Sequence, residues 1–243
     1  MTRITEIWRY PVKSMLGEAL TRADVGTAGI VGDRQWALVD DATGLALTAR
    51  RQPELLFASA ALQDGGDGVL ITLPDGSTTA DDGDLSAWLG HAVTLTRADA
   101  VEHGTYEIAL DFENEATAEW FQWEGPTWSF HDSTRTQVSI IGAATLGEWD
   151  VRRFRPNLLV DGGDEDSWIG SMITAGTAML DVVKPIDRCV ITTRPQPGGI
   201  DRDLDVLRTV NRDRAGNLGV GAMVTAVGEI AIGDEITGAR NSV

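Results

Sequence analysis

Apolar and polar residues alternate with the two-residue period of a half-buried strand along Ile4–Tyr10, and the same signal returns through much of the chain. Gln35–Asp40 and Gly44–Thr48 predict a hairpin turning at Asp41-Ala42-Thr43. Leu56–Leu62 and Val69–Leu73 predict two strands joined by the turn-rich Asp64-Gly65-Gly66-Asp67-Gly68, with Pro74-Asp75-Gly76-Ser77 as a further turn. Asp84 is placed to cap a short helix through Leu89, and a strand follows at Ala92–Thr96.

The alternation weakens over residues 97–131, an acidic stretch holding Trp120, Trp123 and Trp128. It reads as the connection into a second domain, with a helix near 115–123. Beyond it, strands are expected at Val138–Ile141, Asn157–Val160, Thr177–Val183 and Val190–Thr193. Helices are expected at Ala143–Trp149 and at Arg202–Asn211, where Leu204, Leu207 and Val210 take helical spacing. Leu218–Val227 and Glu229–Thr237 read as a final strand pair turning at Gly228. Many short strands with few short helices make the fold class mainly β (α+β), in barrels or sandwiches. The expected domains are residues 1–96 and 97–243, and no internal repeat is present.

At 243 residues the chain is long enough for one large domain or two modest ones with real cores. With 42% hydrophobic and 23% charged residues it reads as globular, not disordered. No apolar run approaches the ~20 residues of a membrane span, and the N-terminus lacks a signal-peptide apolar region. A soluble cytoplasmic protein with no membrane partner is therefore expected. The formal net charge of −17 opposes binding to nucleic acid or anionic membrane, yet leaves room for a local anion site.

The chain has one cysteine, Cys189, which excludes an internal disulfide, a Cys-ligated iron–sulfur cluster and a multi-Cys zinc site within the sequence. His91, His103 and His131 have no metal-site spacing. Cys189 lies in Val183-Lys184-Pro185-Ile186-Asp187-Arg188-Cys189-Val190-Ile191-Thr192-Thr193-Arg194. Pro185 is read as ending one strand and Cys189 as opening the next. Lys184, Arg188 and Arg194 flank the thiol, and neighbouring cations favour the thiolate that ligates metal or attacks electrophiles. From spacing alone, a buried structural cysteine is the favoured reading of the position.

Five motifs narrow this choice. Lys-Pro-x-x-Arg-Cys-x-x-Thr-Thr at 184–193 resembles the signature of MOSC domains, the module of molybdenum cofactor sulfurases and amidoxime-reducing enzymes. Tyr10-Pro11-Val12-Lys13-Ser14 and Gly32-Asp33-Arg34-Gln35-Trp36 resemble landmarks of the N-terminal β-barrel domain that precedes MOSC in this family. Phe154-Arg155-Pro156-Asn157 resembles the central MOSC motif, and Gly228-Glu229-Ile230-Ala231-Ile232-Gly233-Asp234 its closing strand pair. The motifs stand in family order over nearly the whole chain. The resemblance implies a MOSC β-barrel domain preceded by a smaller N-terminal β-barrel-like domain.

It further implies a molybdenum–molybdopterin cofactor with Cys189 as direct metal ligand. Lys13, Ser14, Arg34, Arg155, Asn157, Arg188 and Thr192 then hold the cofactor, and Asp187, beside Cys189, is a candidate for proton delivery. Arginine offers a planar fork to phosphate oxygens, lysine a point charge, and serine and asparagine directional bonds. Ser133, Thr134 and Arg135 lie where relatives carry further contacts, although this stretch matches poorly. The implied activity is a molybdenum-dependent oxidoreductase that reduces N-hydroxylated or N-oxide small molecules. Gly219-Val220-Gly221 sits in a strand pattern without a following helix, so no dinucleotide fingerprint is present. Electrons must come from a separate flavin or iron–sulfur protein.

Two other readings remain open at the sequence level. Cys189 could carry a persulfide and transfer sulfur, although the chain lacks room for the pyridoxal-phosphate desulfurase domain that accompanies MOSC in cofactor sulfurases. The chain could also carry the cofactor without turnover.

Overall fold

The structure is a computed structural model and describes residues 1–63, 66–109, 111, 114 and 117–239. Seven strands close into a barrel in the order Leu158–Val160, Val138–Gly142, Asn217–Ala226, Ala178–Asp187, Ser171–Ala175, Glu235–Ala239 and Thr2–Arg9, the last pairing back onto the first. Every pairing is antiparallel except that of Val138–Gly142 with Leu158–Val160. A parallel pair needs a crossover. Here the crossover is the short helix Ala143–Leu146 and the 3-10 turn Val151–Arg153, and it delivers Arg153 and Arg155 to the barrel mouth.

Closure buries Ile4, Ile7, Ile140, Leu158, Leu180, Val182 and Val220 almost completely. Each such side chain is worth about 1.5–3 kcal/mol on leaving water. Ile4 and Ile7 are three residues apart, which a regular strand would put on opposite faces. A bulge between Ile4 and Glu6 inserts the extra residue that turns both inward.

The preceding region consists of small sheets around Val12, Met15, Leu38, Leu55, Ile71 and Leu85. Trp36–Asp40 pairs with Val93–Arg97, and Ser59–Leu62, Val69–Thr72 and Thr78–Thr79 form a meander. A further hairpin, Thr105–Ala109 with Trp120–Glu124, packs Tyr106 against Ala37, Ala46, Ala98 and Phe130. The mainly β class, with three α-helices among the described residues, follows from this arrangement.

Several local expectations change. The arm expected at Gly44–Thr48 reduces to a single bridge, Val39 to Ala46, on the edge of Trp36–Asp40 opposite the one that pairs with Val93–Arg97. Asp81, not Asp84, caps the helix Asp82–Leu89 by accepting from the Gly83 and Asp84 amides. Asp84 instead accepts a bond from Thr79 Oγ1. Residues 115–116 of the helix expected near 115–123 lie outside the described residues, as do 64–65 of the turn at 64–68. Trp120–Glu124 is a strand paired with Thr105–Ala109, in which Trp120 and Trp123 are the half-buried residues.

The strand from Ala178 does not stop at Pro185 but runs to Asp187, because register breaks on both sides of the proline remove the need for its missing amide. Gly219 lies opposite this break at φ 77°, where an added Cβ would come within 2.6 Å of the Ile140 carbonyl. Val190–Thr193 is a 3-10 turn, not a strand. Its β-branched residues mimic a strand pattern, but Thr192 Oγ1 bonds back to Cys189 O at 3.0 Å and Thr193 Oγ1 to Val190 O at 2.8 Å. The two closing segments are not partners. Gly228–Ala231 pairs with Arg22–Gly26, while Glu235–Ala239 completes the barrel. The helix expected at Arg202–Asn211 spans Leu204–Arg214.

Candidate functional site

A cavity of about 390 Å³ opens where the barrel mouth meets the N-terminal sheets. It is lined from one side by Lys13, Ser14, Arg34 and Arg50, and from the other by Arg153, Arg155 and the segment Lys184–Thr192. Among the described lining residues are seven lysines and arginines against three carboxylates, Glu124, Asp132 and Asp187. A chain of net charge −17 thus concentrates cations at one concave place, the signature of an anion site.

Cys189 is half-buried and opens the 3-10 turn. That turn is fixed from behind. Arg153 donates to Thr192 O at 3.2 Å and to Asp201 O at 2.8 Å, and the Asp203 amide donates to Thr193 O. The helix Leu204–Arg214, packed by Val206 and Val210 on Ile141 and Phe154, backs the arrangement. The sulfur is therefore presented on a supported turn.

Backbone strain collects here. Four described non-glycine residues have positive φ: Ser14 at 67°, Arg34 at 51°, Arg155 at 52° and Ala215 at 49°. The first three line the cavity. Each such conformation costs about 1–3 kcal/mol and persists only where the surroundings impose it.

Arg155 is 9% exposed, and neither Nη1 nor Nη2 has a hydrogen-bond partner. Burial is the main cause that pushes its guanidinium down to about 10; the nearby Arg34 charge adds to the effect. Arg34 is better satisfied: Nη1 pairs with Asp33, and Nη2 donates to Arg155 O at 3.1 Å. Both guanidinium carbons lie over the Tyr10 ring, at 4.9 Å for Arg34 and 4.3 Å for Arg155. Asp33 is buried, accepts from the Tyr10 amide at 2.8 Å and lies 3.3 Å from His131 Nε2. Burial alone would raise its carboxyl, but Arg34 and then His131 hold it well below the usual range.

Lys13 is 5% exposed. Its Nζ donates to Phe130 O at 2.8 Å and Asp132 Oδ1 at 2.7 Å, and sits 3.9 Å from the Tyr106 ring centre. Burial lowers its ammonium to about 8, partly opposed by Asp132. Arg50 shares Asp132 through Nη2 at 3.2 Å and lies 5.0 Å over the Trp123 ring. Burial disfavours its charge, but Asp132 and the Cys189 sulfur beside it more than compensate. Asp132 is half-exposed on the cavity wall. Burial works against its ionisation, and Arg50 and Lys13 outweigh it, so the carboxyl stays far below its ordinary range.

The structure thus brings Lys13, Ser14, Arg34, Arg155, Asp187, Arg188, Cys189 and Thr192 to one cavity. Their freedom differs. Ser14 Oγ accepts from the Ala49 amide and keeps its own proton to donate. Arg188 spends its guanidinium on Leu218 O and Phe154 O, and burial lowers it to about 10. Thr192 is committed to its own turn. Asp187 sits at the rim, its side chain 83% exposed and paired with Lys184 at 3.1 Å. Asn157 is not in the lining. It is fully buried, accepts from Ser139 N and Oγ at 3.0 Å each and donates to Trp8 O at 3.3 Å, stitching three barrel strands. Ser133 and Thr134 line the cavity; Arg135 does not.

Sequence reasoning missed Arg50, Asp132 and Tyr10 as parts of the site. Only the fold puts Arg50 beside Cys189, Asp132 on the same cavity wall and the Tyr10 ring against Arg34 and Arg155. The available signal was their position, immediately after a strand arm and immediately before the poorly matched 133–135 stretch.

The unpartnered Arg155 guanidinium, the spare Ser14 proton and the soft sulfur of Cys189 make a donor set that fits a phosphate-bearing pterin with a thiophilic metal. Comparison with known proteins gives the family. The family model described as the MOSC N-terminal beta barrel domain matches residues 1–123, and the MOSC domain model matches residues 130–237. Human mitochondrial amidoxime-reducing component 1 is 27% identical over 253 residues, covering 87% of this chain and 72% of that protein. Bovine mitochondrial amidoxime reducing component 2 is 24% identical, covering 82% and 68%. The molybdenum cofactor sulfurase of Drosophila grimshawi is 25% identical over 94% of this chain, which spans 33% of that longer protein.

Proposed function

We propose, because the chain belongs to the MOSC family as an N-terminal MOSC β-barrel domain followed by a MOSC domain, that it holds a molybdenum–molybdopterin cofactor beside Cys189 and reduces N-hydroxylated or N-oxide small molecules. Two relatives named for amidoxime reduction and one named as a cofactor sulfurase support a molybdenum-cofactor function. The observation that carries the reading is the Arg155 guanidinium, buried, strained and unpartnered in the same cavity as the single thiol. Terminal guanidinium nitrogens buried without a hydrogen-bond partner call for one, and an anion in the cavity supplies it.

The cofactor, when bound, supplies two-electron chemistry that takes an oxygen atom from the substrate. The chain does the rest. Cys189 would ligate the metal through its sulfur, and Arg155, Arg34 and the Ser14 hydroxyl would hold the cofactor's phosphate. Lys13, fixed by Asp132, adds positive charge without swinging free, since its ammonium is bonded at two points. Arg50 holds the cavity wall beside the sulfur. Reduction of an N–OH group consumes two electrons and two protons and releases water. Asp187 at the mouth is open to solvent and passes those protons inward. The electrons come from a separate flavin or iron–sulfur protein, since one cysteine cannot hold a cluster.

The test is turnover. Protein loaded with the cofactor and given an artificial reductant should consume benzamidoxime and release benzamidine. Molybdenum-replete protein that reduces no N-oxygenated compound would refute the reaction, and a sulfur adduct on Cys189 in metal-free protein would point to sulfur transfer.

A further inference from the structure

We infer that Tyr10 is a positioning residue: its ring holds Arg34 and Arg155 together as a two-armed clamp for a phosphate group. This rests on the anionic-cofactor reading of the cavity but assigns a role to a residue outside its lining. Two arginines brought close repel one another, and a guanidinium without hydrogen bonds would ordinarily swing to water. Here neither does. One buried aromatic ring lies against both guanidinium carbons, at 4.9 and 4.3 Å from its centre.

Five further contacts lock the ring and its cations in register. The Tyr10 amide donates to Asp33, and the same carboxylate pairs with Arg34 Nη1. Arg34 Nη2 donates to the Arg155 carbonyl, and the Arg34 amide donates to the Tyr10 carbonyl. The Tyr10 ring stacks in turn on Trp8, 17° from parallel. Gly17 keeps that berth open, since a Cβ there would stand 2.6 Å from Tyr10 Cδ1. Both arginines have left-handed backbone, so each is directed by the fold and not by rotamer choice alone.

The Tyr10 hydroxyl is buried without a hydrogen-bond partner. The ring, not the hydroxyl, therefore does the positioning, and phenylalanine should serve equally well while leucine should not.

The probe is inorganic phosphate added to the full chain prepared without cofactor. Binding is read by calorimetry, and the Nε–Hε signals of Arg34 and Arg155 by nitrogen-15 NMR. The expected result is phosphate binding that moves both signals with one midpoint. Tyr10→Phe should bind within twofold of wild type, and Tyr10→Leu about tenfold more weakly. In Tyr10→Leu the Arg155 signal should also broaden through faster guanidinium rotation. A merely structural role for Tyr10 would leave that rotation unchanged in any variant that folds. Equal phosphate affinity in Tyr10→Leu overturns the inference, and so does a loss in Tyr10→Phe as large as in leucine. Should Tyr10→Leu fail to fold, the wild-type titration decides: movement of only one arginine signal, or of neither, refutes the clamp. Phosphate binding that depends on the ring in a protein that never acquires molybdenum would leave the clamp standing and remove the cofactor reading. Equal molybdenum loading of wild type and Tyr10→Leu would do the reverse.

Discussion

Replacing Arg155 by methionine should make the cofactor-free protein more stable while destroying its capacity to hold the cofactor. Burial brings the guanidinium down to about 10 from its ordinary value of 12.5. At ~1.4 kcal/mol per pH unit, keeping that charge inside the folded chain costs about 3 kcal/mol. The sign follows from linkage. The folded value lies below the unfolded one, so the penalty is complete at every pH below about 10 and is relieved only as pH rises towards the ordinary arginine range. At pH 7 all of it applies. Methionine fills most of the volume and removes the charge. It also forfeits the contact with Tyr10, worth ~1 kcal/mol. The strained backbone at φ 52° remains and cancels. The net gain is about 1–2 kcal/mol, read from urea unfolding with an unchanged m value, or as ~2–8 °C in Tm for a chain of this size. Arg155→Met less stable than wild type by about 1 kcal/mol or more would refute the reasoning, because the guanidinium would then have partners that repay its burial.

Other expectations follow from the same geometry. Asn157→Ala leaves the Ser139 amide and the Trp8 carbonyl without their partner at a site with no solvent access, so stability should fall by about 3–5 kcal/mol, visible as a lower urea midpoint. Lys13, lowered to about 8, makes the unfolded chain bind more protons between roughly pH 8 and 10.5; stability should therefore rise with pH through that window, and Lys13→Met should flatten the rise in parallel titrations of unfolding free energy. Arg153→Ala removes the two carbonyl contacts that brace the turn after Cys189, and backbone amide exchange at Val190–Thr193 should accelerate about tenfold or more while the barrel strands keep their protection.

Most of the barrel's strands were legible from apolar patterning, but the strand Ser171–Ala175 was not, and the bulge that turns both Ile4 and Ile7 inward breaks the two-residue period. The site was legible where chemistry and motif coincide, at Lys13, Ser14, Arg34, Arg155 and Cys189, which meet in one cavity. Other parts were hidden for physical reasons. Val190–Thr193 has strand composition, but threonine hydroxyls satisfy a tight turn locally. Asn157 looks like a ligand-binding amide beside Arg155, yet one strand offset turns it into the barrel wall. Arg50 and Asp132 lie 82 residues apart, and their pairing depends on how the N-terminal sheets seat against the barrel. No local pattern encodes that.

The most direct test of the central claim is the molybdenum and pterin content of wild type and Cys189→Ser, both purified from a host with an intact molybdopterin pathway. Serine is nearly isosteric at this half-buried position but offers hard oxygen in place of soft sulfur. Wild type should carry metal and pterin together, and the serine variant should lose the metal by about tenfold or more while unfolding at the wild-type temperature. Undiminished molybdenum in Cys189→Ser would contradict the assignment of the thiol as the metal's ligand.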